Sequence, residues 1–228
     1  MKKAFFVTGT DTDVGKTTIS SGLLAKAVQQ KLMTAAIKPI ASGCRKTAQG
    51  LRNSDALTLL ENTNLSLTYE EINPIAFLPA IAPHIAAQEQ DIDLSVTTLY
   101  PYVKHVLLKK ADFTLIEGAG GWRVPLNDTE YLSDLVKALA LPVILVVGVR
   151  LGCVNHAVLT LETIQRDGLI VAGWIANIID PQMARLDDNL QTLAKLIKVP
   201  CLGTVPHLTK LTATHVASYL SLDPLLGD

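Results

Sequence analysis

The residues best suited to chemistry lie close together near the start of the chain, in Gly9-Thr-Asp-Thr-Asp-Val-Gly-Lys-Thr17. An apolar run at residues 4–7 precedes this stretch, and a helical pattern follows from Thr18. This order of a strand, a glycine-containing loop, Gly-Lys-Thr and a helix is typical of sites that bind a nucleoside triphosphate. Backbone N–H groups of the loop and the N-terminus of the helix point at phosphate oxygens in such sites. We expect Lys16 to neutralise the β- and γ-phosphates and the Thr17 hydroxyl to bind Mg2+.

The spacing of this loop departs from the usual pattern, in which four residues separate the first glycine from Gly-Lys. Thr10 stands where that glycine belongs, and Gly9 lies one residue earlier. A tight strand-to-helix turn with a surface lysine is the alternative interpretation. The flanking strand and helix patterns favour the nucleotide site.

Glu117 directly follows a second apolar run, residues 113–116, and precedes Gly-Ala-Gly-Gly. A carboxylate at this position holds Mg2+ in nucleotide hydrolases and kinases, directly or through water. The alternative is a charged residue that leaves a strand for solvent. Several glycines in succession are typical of a backbone that approaches a ligand closely, so the pattern favours the functional interpretation.

Lys38 and Asp55 are weaker candidates. Lys38 ends an apolar run at residues 34–37, where it can stabilise a transferring phosphoryl group, but its spacing fits a surface lysine equally well. Asp55 stands two residues after Asn53 at the start of a helical pattern. Position alone favours a capping or helix-dipole role for Asp55 over a Mg2+ ligand.

Asn177 and Asp180 end another apolar run as Asn-Ile-Ile-Asp. Guanine-binding proteins carry Asn-Lys-x-Asp at a comparable place, but this chain lacks the lysine. An asparagine amide can pair with the edge of adenine instead. The base preference is therefore only weakly indicated.

The elements that must position these residues alternate along the chain. Apolar runs occupy residues 4–7, 34–37, 113–116, 143–147, 170–179 and 201–205. Helical patterns begin at Thr18 and Ser54 and cover residues 96–110, 132–141, 154–166 and 186–198, whereas 40–53 reads as a polar loop and 64–94 as irregular. Runs buried on both faces predict an α/β fold with a mostly parallel sheet and helices on both faces. Such sheets bind ligands beyond the carboxyl ends of their strands.

Composition narrows the function classes. The chain has 228 residues, 49% of them hydrophobic, which fits one domain over residues 1–228. A formal net charge of −1 without a basic block argues against a nucleic-acid partner. No apolar run approaches the ~20 residues of a membrane span. Three widely spaced cysteines suit a reducing compartment, and we expect a cytoplasmic protein.

These motifs together resemble those of the dethiobiotin synthetase family, a biotin-pathway branch of the P-loop fold. The resemblance runs through most of the chain, and the longer glycine loop at Gly9 is part of it. It is carried by Val7-Thr-Gly-Thr-Asp-Thr-Asp-Val-Gly-Lys-Thr17, Lys38-Pro-Ile-Ala-Ser-Gly43, Gly50-Leu-Arg-Asn-Ser-Asp55, Asn73-Pro74, Ala82-Pro-His84, Glu117-Gly-Ala-Gly-Gly-Trp122, Pro142-Val-Ile-Leu-Val-Val-Gly-Val149, Leu151-Gly-Cys-Val-Asn-His156 and Ala172-Gly-Trp-Ile-Ala-Asn177.

The resemblance implies an ATP- and Mg2+-dependent ligase that makes dethiobiotin from 7,8-diaminopelargonate and carbon dioxide. One amine takes up carbon dioxide as a carbamate, ATP phosphorylates the carbamate, and the second amine closes the ureido ring and expels phosphate. The chemistry needs positioning and cationic stabilisation rather than a protein nucleophile.

The resemblance also assigns roles to matching positions. It implies catalytic roles for Lys16 and Lys38 and Mg2+ ligands at Thr17, Asp55 and Glu117. ATP is assigned to Asp13, Val14, Gly15, Lys16, Thr17, Thr18, Asp55, Glu117, Gly118, Ala119, Gly120, Asn177, Pro206, His207 and Leu208. The diamine is assigned to Thr12 and Ser42, and to Gly152, Cys153 and Asn155 from the partner of a two-fold homodimer with shared active sites. Family members often place an acidic ribose contact after the 206–208 loop, but residues 209–215 contain none.

Two other classes share the P-loop core. A partition- or cell-division-type regulatory ATPase is the main alternative function. Such proteins carry an extra lysine early in the phosphate loop, where this chain has Asp11 or Thr12. Cobyrinate-type amide synthetases append a glutaminase domain, for which this chain is too short.

Overall fold

The computed structural model describes residues 3–209 and 212–227, and its strands form one large sheet and two small ones. The strands are β1 (Lys3–Gly9), β2 (Thr34–Ile37), β3 (Ile40–Ala41), β4 (Arg45–Thr47), β5 (Gly50–Arg52), β6 (Ile75–Ala76), β7 (Phe113–Glu117), β8 (Val143–Val149), β9 (Val171–Ile178) and β10 (Cys201–Val205). The large sheet has six strands in the order β10-β9-β8-β1-β7-β2, and every pairing in it is parallel. All residues of β2, β7 and β8 are buried, as expected for strands covered on both faces.

Helices cover both faces of this sheet. They are α1 (Lys16–Gln29), α2 (Ser54–Glu61), α3 (Tyr69–Ile72), α4 (Pro83–Gln88), α5 (Val96–Leu108), α6 (Leu132–Leu139), α7 (Cys153–Arg166), α8 (Leu186–Leu196), α9 (Ala213–Ala217) and α10 (Asp223–Leu226). One face packs α1, α2 and α9 against a core that contains Phe5 and Val7, while the opposite face packs α5 to α8 against a core that contains Phe6 and Leu145. Consecutive strand residues therefore serve opposite cores, which is the two-residue periodicity of a strand.

The fold class and the six main strands predicted from the sequence are confirmed, with ends shifted by a few residues. The 40–53 stretch is not simply a loop, because it holds β3 and the β4–β5 hairpin. The stretch 64–94 contains α3, β6 and α4, and β6 pairs with β3. These elements have two to six residues each, too few for a periodic pattern to predict.

Asn53 caps α2, so the capping half of the role favoured for Asp55 is wrong, whereas its place in the first turn fits the helix-dipole half. The Asn53 Oδ1 accepts hydrogen bonds from the backbone N–H groups of Asp55 and Ala56, at 3.0 and 3.2 Å. Asp55 lies in the first turn with its carboxylate directed elsewhere. Through residues 3–209 and 212–227, none of the helices has the length and apolar character needed to cross a bilayer.

Candidate active site

The phosphate loop connects β1 to α1 and depends on two glycines. A Cβ on Gly9 would lie 2.5 Å from the Val14 Cγ2, so the longer loop folds back over a position that only glycine can fill. Gly15 has a φ of 85°, and a Cβ there would lie 2.2 Å from the Asn177 Nδ2. Directly after Gly15, Lys16 begins α1 and extends its Nζ to within 3.0 Å of the Asp11 carbonyl oxygen.

Asn177, at the end of β9, holds this loop in place. Its Nδ2 donates a hydrogen bond to the Val14 carbonyl oxygen at 2.8 Å, and the side chain is buried. The sequence suggested Asn177 only as a contact for the nucleotide base. The structure adds a second role, because one amide now fixes the backbone just before Gly15.

A charged cluster lies beside the phosphate loop, at the carboxyl ends of β2 and β7. The Lys38 Nζ lies 2.8 Å from the Glu117 Oε1 and 3.1 Å from the Asp55 Oδ2. The Thr17 hydroxyl donates to the same Glu117 oxygen at 2.7 Å. Glu117 and Lys38 are buried, whereas the Asp55 side chain is 43% exposed. Lys38 is therefore a buried, doubly paired cation rather than a surface lysine.

The two lysines of this site have opposite pKa shifts. Burial lowers the pKa of Lys16 to about 8, with repulsion from Lys38 as the second cause. Burial also opposes the charged form of Lys38, but attraction to Glu117 and Asp55 more than offsets it and raises the pKa of Lys38 above its ordinary value. Lys38 is thus held protonated, while Lys16 loses its proton at a lower pH than an ordinary lysine does.

Glu117 has one oxygen without a partner. Its buried Oε2 forms no hydrogen bond within residues 3–209 and 212–227. A buried carboxylate oxygen left unpaired is costly, and a hard cation is the ligand that such an oxygen prefers. With the Thr17 hydroxyl and the Asp55 carboxylate nearby, the donor set consists entirely of oxygens and fits Mg2+.

One cleft of about 900 Å³ joins the phosphate loop to the charged cluster. Eleven of the residues assigned from the sequence line it: Thr12, Asp13, Gly15, Lys16, Thr17, Thr18, Lys38, Ser42, Asp55, Ala119 and Gly120. Ser42 presents a buried Oγ that has no hydrogen-bond partner in the described residues. The cleft therefore brings a phosphate site and an unsatisfied hydroxyl into the same space.

The remaining wall of the cleft is mostly apolar and was not predicted. It consists of Ile40, Ala41, Ala80, Ile81, Ala82, Pro83, Arg123, Val124 and Pro125. Residues 80–83 fall in the stretch that reads as irregular, and aliphatic residues in such a stretch carry no chemical signature. The Gly-Gly-Trp sequence before Arg123 was the available signal, since a chain that follows a ligand-binding loop remains near the ligand.

Several assigned residues lie outside the cleft lining. Val14 is buried under the phosphate loop, and Gly118 packs so closely on Phe6 that a Cβ would lie 2.8 Å from its ring. Pro206, His207 and Leu208 directly follow β10. Gly152, Cys153 and Asn155 form the start of α7, where Gly152 and Asn155 are exposed and Cys153 is buried. Residues 210 and 211 of the 209–215 stretch lie outside the described residues.

Comparison with known proteins shows which family the chain belongs to. A family model described as "AAA domain" matches residues 3–215. The ATP-dependent dethiobiotin synthetase BioD of Pseudomonas aeruginosa strain PAO1 is 60% identical over 222 residues, which cover 97% of each chain. The chain belongs to the dethiobiotin synthetase family. The Cellvibrio japonicus dethiobiotin synthetase is 53% identical and covers 99% of this chain and 98% of its own.

Solved structures with the same fold share far less sequence identity with this chain than those dethiobiotin synthetases do. The MinD cell division protein of Aquifex aeolicus aligns with a TM-score of 0.55 at 14% identity, covering 98% of this chain and 92% of its own. The ParA family ATPase of Chlorobium tepidum aligns with a TM-score of 0.53 at 14% identity, covering 99% and 94%. These likenesses show the P-loop fold alone and do not favour the partition-type alternative.

Proposed function

We propose that the chain is an ATP-dependent dethiobiotin synthetase that closes a ureido ring on 7,8-diaminopelargonate with carbon dioxide. The observation that carries this proposal is one cleft in which a phosphate loop, a protonated lysine and an apolar wall meet. A transferable phosphoryl group and an alkyl diamine can therefore occupy adjoining parts of the same space. A regulatory ATPase would not need the apolar wall beside Lys38.

The reaction proceeds in three steps. One amine nitrogen attacks carbon dioxide and loses a proton, giving a carbamate. A carbamate oxygen attacks the γ-phosphorus of ATP, and ADP leaves. The second amine then attacks the carbonyl carbon and loses a proton, and the carbon–oxygen bond to phosphate breaks, which yields dethiobiotin and phosphate. Both transfers require in-line positioning and neutralisation of negative charge more than any protein nucleophile.

The two lysines divide this work. Lys16, at the start of α1, contacts the β- and γ-phosphates together with the backbone N–H groups of residues 13–18. Lys38 lies on the β2 side of the cleft, where a fixed positive charge stabilises the carbamate and the phosphoryl group passing to it. Thr12 and Ser42 contact the diamine. The unpartnered Ser42 Oγ supports this assignment, because a buried hydroxyl gains a partner when an amine or carbamate binds.

Thr17, Asp55 and Glu117 would hold Mg2+. When bound there, the ion neutralises charge on the phosphate oxygens. The unpaired Glu117 Oε2 supports the assignment. Gly118, Ala119 and Gly120 follow Glu117 and contribute backbone rather than side chains to the nucleotide site.

The adenine end of the site is proposed to include Asn177 and the 206–208 loop. Asn177 donates from Nδ2 to the phosphate loop, which leaves its Oδ1 as an acceptor for the adenine amino group. Since β9 and β10 are neighbours in the sheet, the residues at their carboxyl ends adjoin one another. The 206–208 backbone is thus near enough to contact the same base. We further propose that the enzyme works in the cytoplasm, where ATP is available.

The active site is proposed to be shared between two chains. Gly152 and Asn155 are exposed at the start of α7 and do not line the cleft of their own chain. Helix N-terminal N–H groups bind anions, and the carboxylate of the diamine is the anion without another partner. A two-fold dimer makes such a contact reciprocal and gives two shared sites.

Complementation tests the shared site. Lys16→Ala removes the phosphate contact from a chain's own site. Asn155→Asp instead affects the partner's site, where it places a repelling charge beside the substrate carboxylate. If the sites are shared, co-expressing the two inactive chains rebuilds one intact site in each mixed dimer. Random pairing makes about half the dimers mixed, so about a quarter of wild-type activity should return. No return of activity would confine each site to one chain.

The reaction itself is tested by incubating the protein with ATP, bicarbonate and 7,8-diaminopelargonate. We expect a product with the mass of dethiobiotin, formed in equal amount to ADP and only when all three substrates are present. If ATP is hydrolysed at the same rate with and without the diamine, and no dethiobiotin forms, the result would instead support a regulatory ATPase.

A further inference from the structure

Asp167, at the carboxyl end of α7, is bound by two consecutive residues, the buried Trp122 and the cleft-lining Arg123. The Trp122 Nε1 donates to the Asp167 Oδ2 at 2.8 Å, and the Arg123 Nη2 donates to its Oδ1 at 2.6 Å. Both carboxylate oxygens are thus occupied by the segment that directly follows the glycine-rich loop. Asp167 itself does not line the cleft.

The glycine-rich loop needs such an anchor. Residues 118–121 are Gly-Ala-Gly-Gly, and Gly120 has a φ of 57°, so the loop has few side chains with which to fix its own conformation. It nevertheless runs close to the phosphate loop. A Cβ on Gly120 would lie 3.6 Å from the Thr12 Oγ1, and a Cβ on Gly121 would lie 3.6 Å from the Gly9 carbonyl oxygen. Its conformation must therefore be fixed from its two ends.

Glu117 fixes the first end of this loop, and the Trp122–Arg123 pair fixes the second. Trp122 is buried, with its ring edge-on to Phe6 at a centroid distance of 6.1 Å. Arg123 makes a second bond, from Nη1 to the Ser133 Oγ at 2.9 Å, which ties it to α6. Its guanidinium is thereby directed to Asp167 and Ser133, so we assign it an anchoring role rather than an anion site.

We propose that Asp167 is a positioning residue for the active site. By holding Trp122 and Arg123, it fixes the position of Val124 and Pro125, which line the apolar part of the cleft together with residues 80–83. The position of this apolar lining determines how well the cleft fits the alkyl chain of the diamine. The inference rests on the proposed function, since it names the substrate that this wall contacts.

The test compares steady-state kinetics of Asp167→Ala with the wild-type enzyme. We expect the KM for 7,8-diaminopelargonate to rise about ten-fold, because a small displacement of a positioning wall weakens substrate fit. The KM for ATP and kcat should change less than the KM for the diamine, since the phosphate loop and both lysines keep their own anchors and only the 118–120 backbone loses its support. An unchanged KM for the diamine would overturn the proposal.

A second background separates positioning from general stability. In a chain that already carries Trp122→Phe and Arg123→Ala, Asp167→Ala should add no further rise in the KM for the diamine, because its two partners are gone. A further rise would show that Asp167 acts by another route. If Asp167→Ala does not fold, Asp167→Asn supplies the same test, because it keeps the size of the side chain but leaves one acceptor oxygen for two donors; its KM for the diamine should rise, and an unchanged KM would overturn the proposal.

Lys109→Ala is the matched control. It removes the ion pair between Lys109 and Glu71, away from the cleft, and should leave the KM for the diamine unchanged. If the KM for the diamine rose comparably in Lys109→Ala, the effect of Asp167→Ala would be explained by a general loss of stability, and the positioning role would be overturned. Wild-type enzyme in the same assay separates the two levels of failure. If the wild-type enzyme turns over and Asp167→Ala has an unchanged KM for the diamine, only the positioning role is refuted. If the wild-type enzyme forms no dethiobiotin, the proposed function is refuted and this inference with it.

Discussion

The two sides of the catalytic cleft each present one buried lysine, and the two lysines are in opposite electrostatic states. On the phosphate-loop side, Lys16 is desolvated and lies near Lys38, and its pKa falls to about 8. On the β2 side, Lys38 is even more deeply buried, but Glu117 and Asp55 pair with it and raise its pKa. Burial is common to both, so the carboxylates make the difference.

This contrast shows how one residue type serves two purposes. Within residues 3–209 and 212–227 no carboxylate forms an ion pair with Lys16, and Glu117, Asp55 and Asp13 attract it only at longer range. Its charge therefore gains full stabilisation only when phosphate oxygens arrive. Lys38 is ion-paired in advance, kept protonated and held in one orientation, which suits a group that must meet a carbamate without reorganising. Ligand binding and preorganisation are therefore assigned to opposite walls of the same cleft.

Replacing each lysine with methionine should give the largest and most informative difference. Lys16→Met should reduce kcat by about 10²–10³-fold, with the melting temperature unchanged or raised, because an unfavourable buried charge is removed. Lys38→Met should lose comparable activity and also destabilise the fold by roughly 3 kcal/mol, because it leaves Glu117 buried without its cation. Steady-state kinetics and thermal unfolding measure both effects.

Equal melting temperatures for the two variants would contradict the contrast between the walls. Near-wild-type turnover in Lys16→Met, or in the smaller Lys16→Ala, would remove the nucleotide site from the account. Lys38→Arg is a useful companion, because it keeps the charge that Glu117 needs while changing the geometry offered to a carbamate. We expect it to recover much of the lost stability and little of the lost activity.

A smaller effect is expected from Asp55→Asn, which distinguishes a Mg2+ ligand from a helix residue. Losing the carboxylate charge should raise the Mg2+ concentration needed for half-maximal activity by about ten-fold or more, with little change in melting temperature. Asn53→Ala is the matched control at the neighbouring position. It removes the observed cap and should cost about 1 kcal/mol of stability without changing the Mg2+ requirement. The reverse pattern would return Asp55 to a purely structural role.

The last predicted effect, which requires no substitution, is a pH dependence of nucleotide affinity. Because the pKa of Lys16 is lowered to about 8, the lysine loses its proton as pH rises through that value, and only the charged form attracts phosphate. At saturating Mg2+, the affinity for ATP should fall by up to about ten-fold per pH unit between pH 8 and 9.5. Lys16→Arg stays charged throughout and should show a flat profile by calorimetry. A wild-type profile as flat as the arginine variant would contradict the lowered pKa.

How far the sequence predicts this molecule depends on whether a feature is local. The β1–α1 loop could be predicted because its glycines, lysine and threonine act through their own backbone and spacing. The functional role of Lys38 could not be decided from spacing, because its partners Asp55 and Glu117 are 17 and 79 residues away along the chain. The parallel order of β2 beside β7 brings Lys38 to Glu117, and the first turn of α2 adds Asp55.

The elements missed by the sequence patterns share a different cause. The strand pair β3–β6 contributes two residues from each strand, and its stability comes from packing rather than from intrinsic propensity. The cap of α2 was misassigned because Asn53 and Asp55 are both good capping residues, and only the backbone angles decide between them. Asp167 gave no sequence signal, since its two partners lie 44 and 45 residues earlier.

The central claim is that both halves of the cleft act on one reaction, and isotope transfer tests it most directly. The experiment is a single turnover in which both oxygens of the carbon dioxide are 18O, while ATP and 7,8-diaminopelargonate are unlabelled. One carbamate oxygen must then pass to the phosphate, and the other must remain in the ureido carbonyl. We predict that phosphate and dethiobiotin each carry one 18O atom when analysed by mass spectrometry. Phosphate that takes its new oxygen from water would contradict the account, because ATP would then be hydrolysed without carbamate ever reaching the γ-phosphorus.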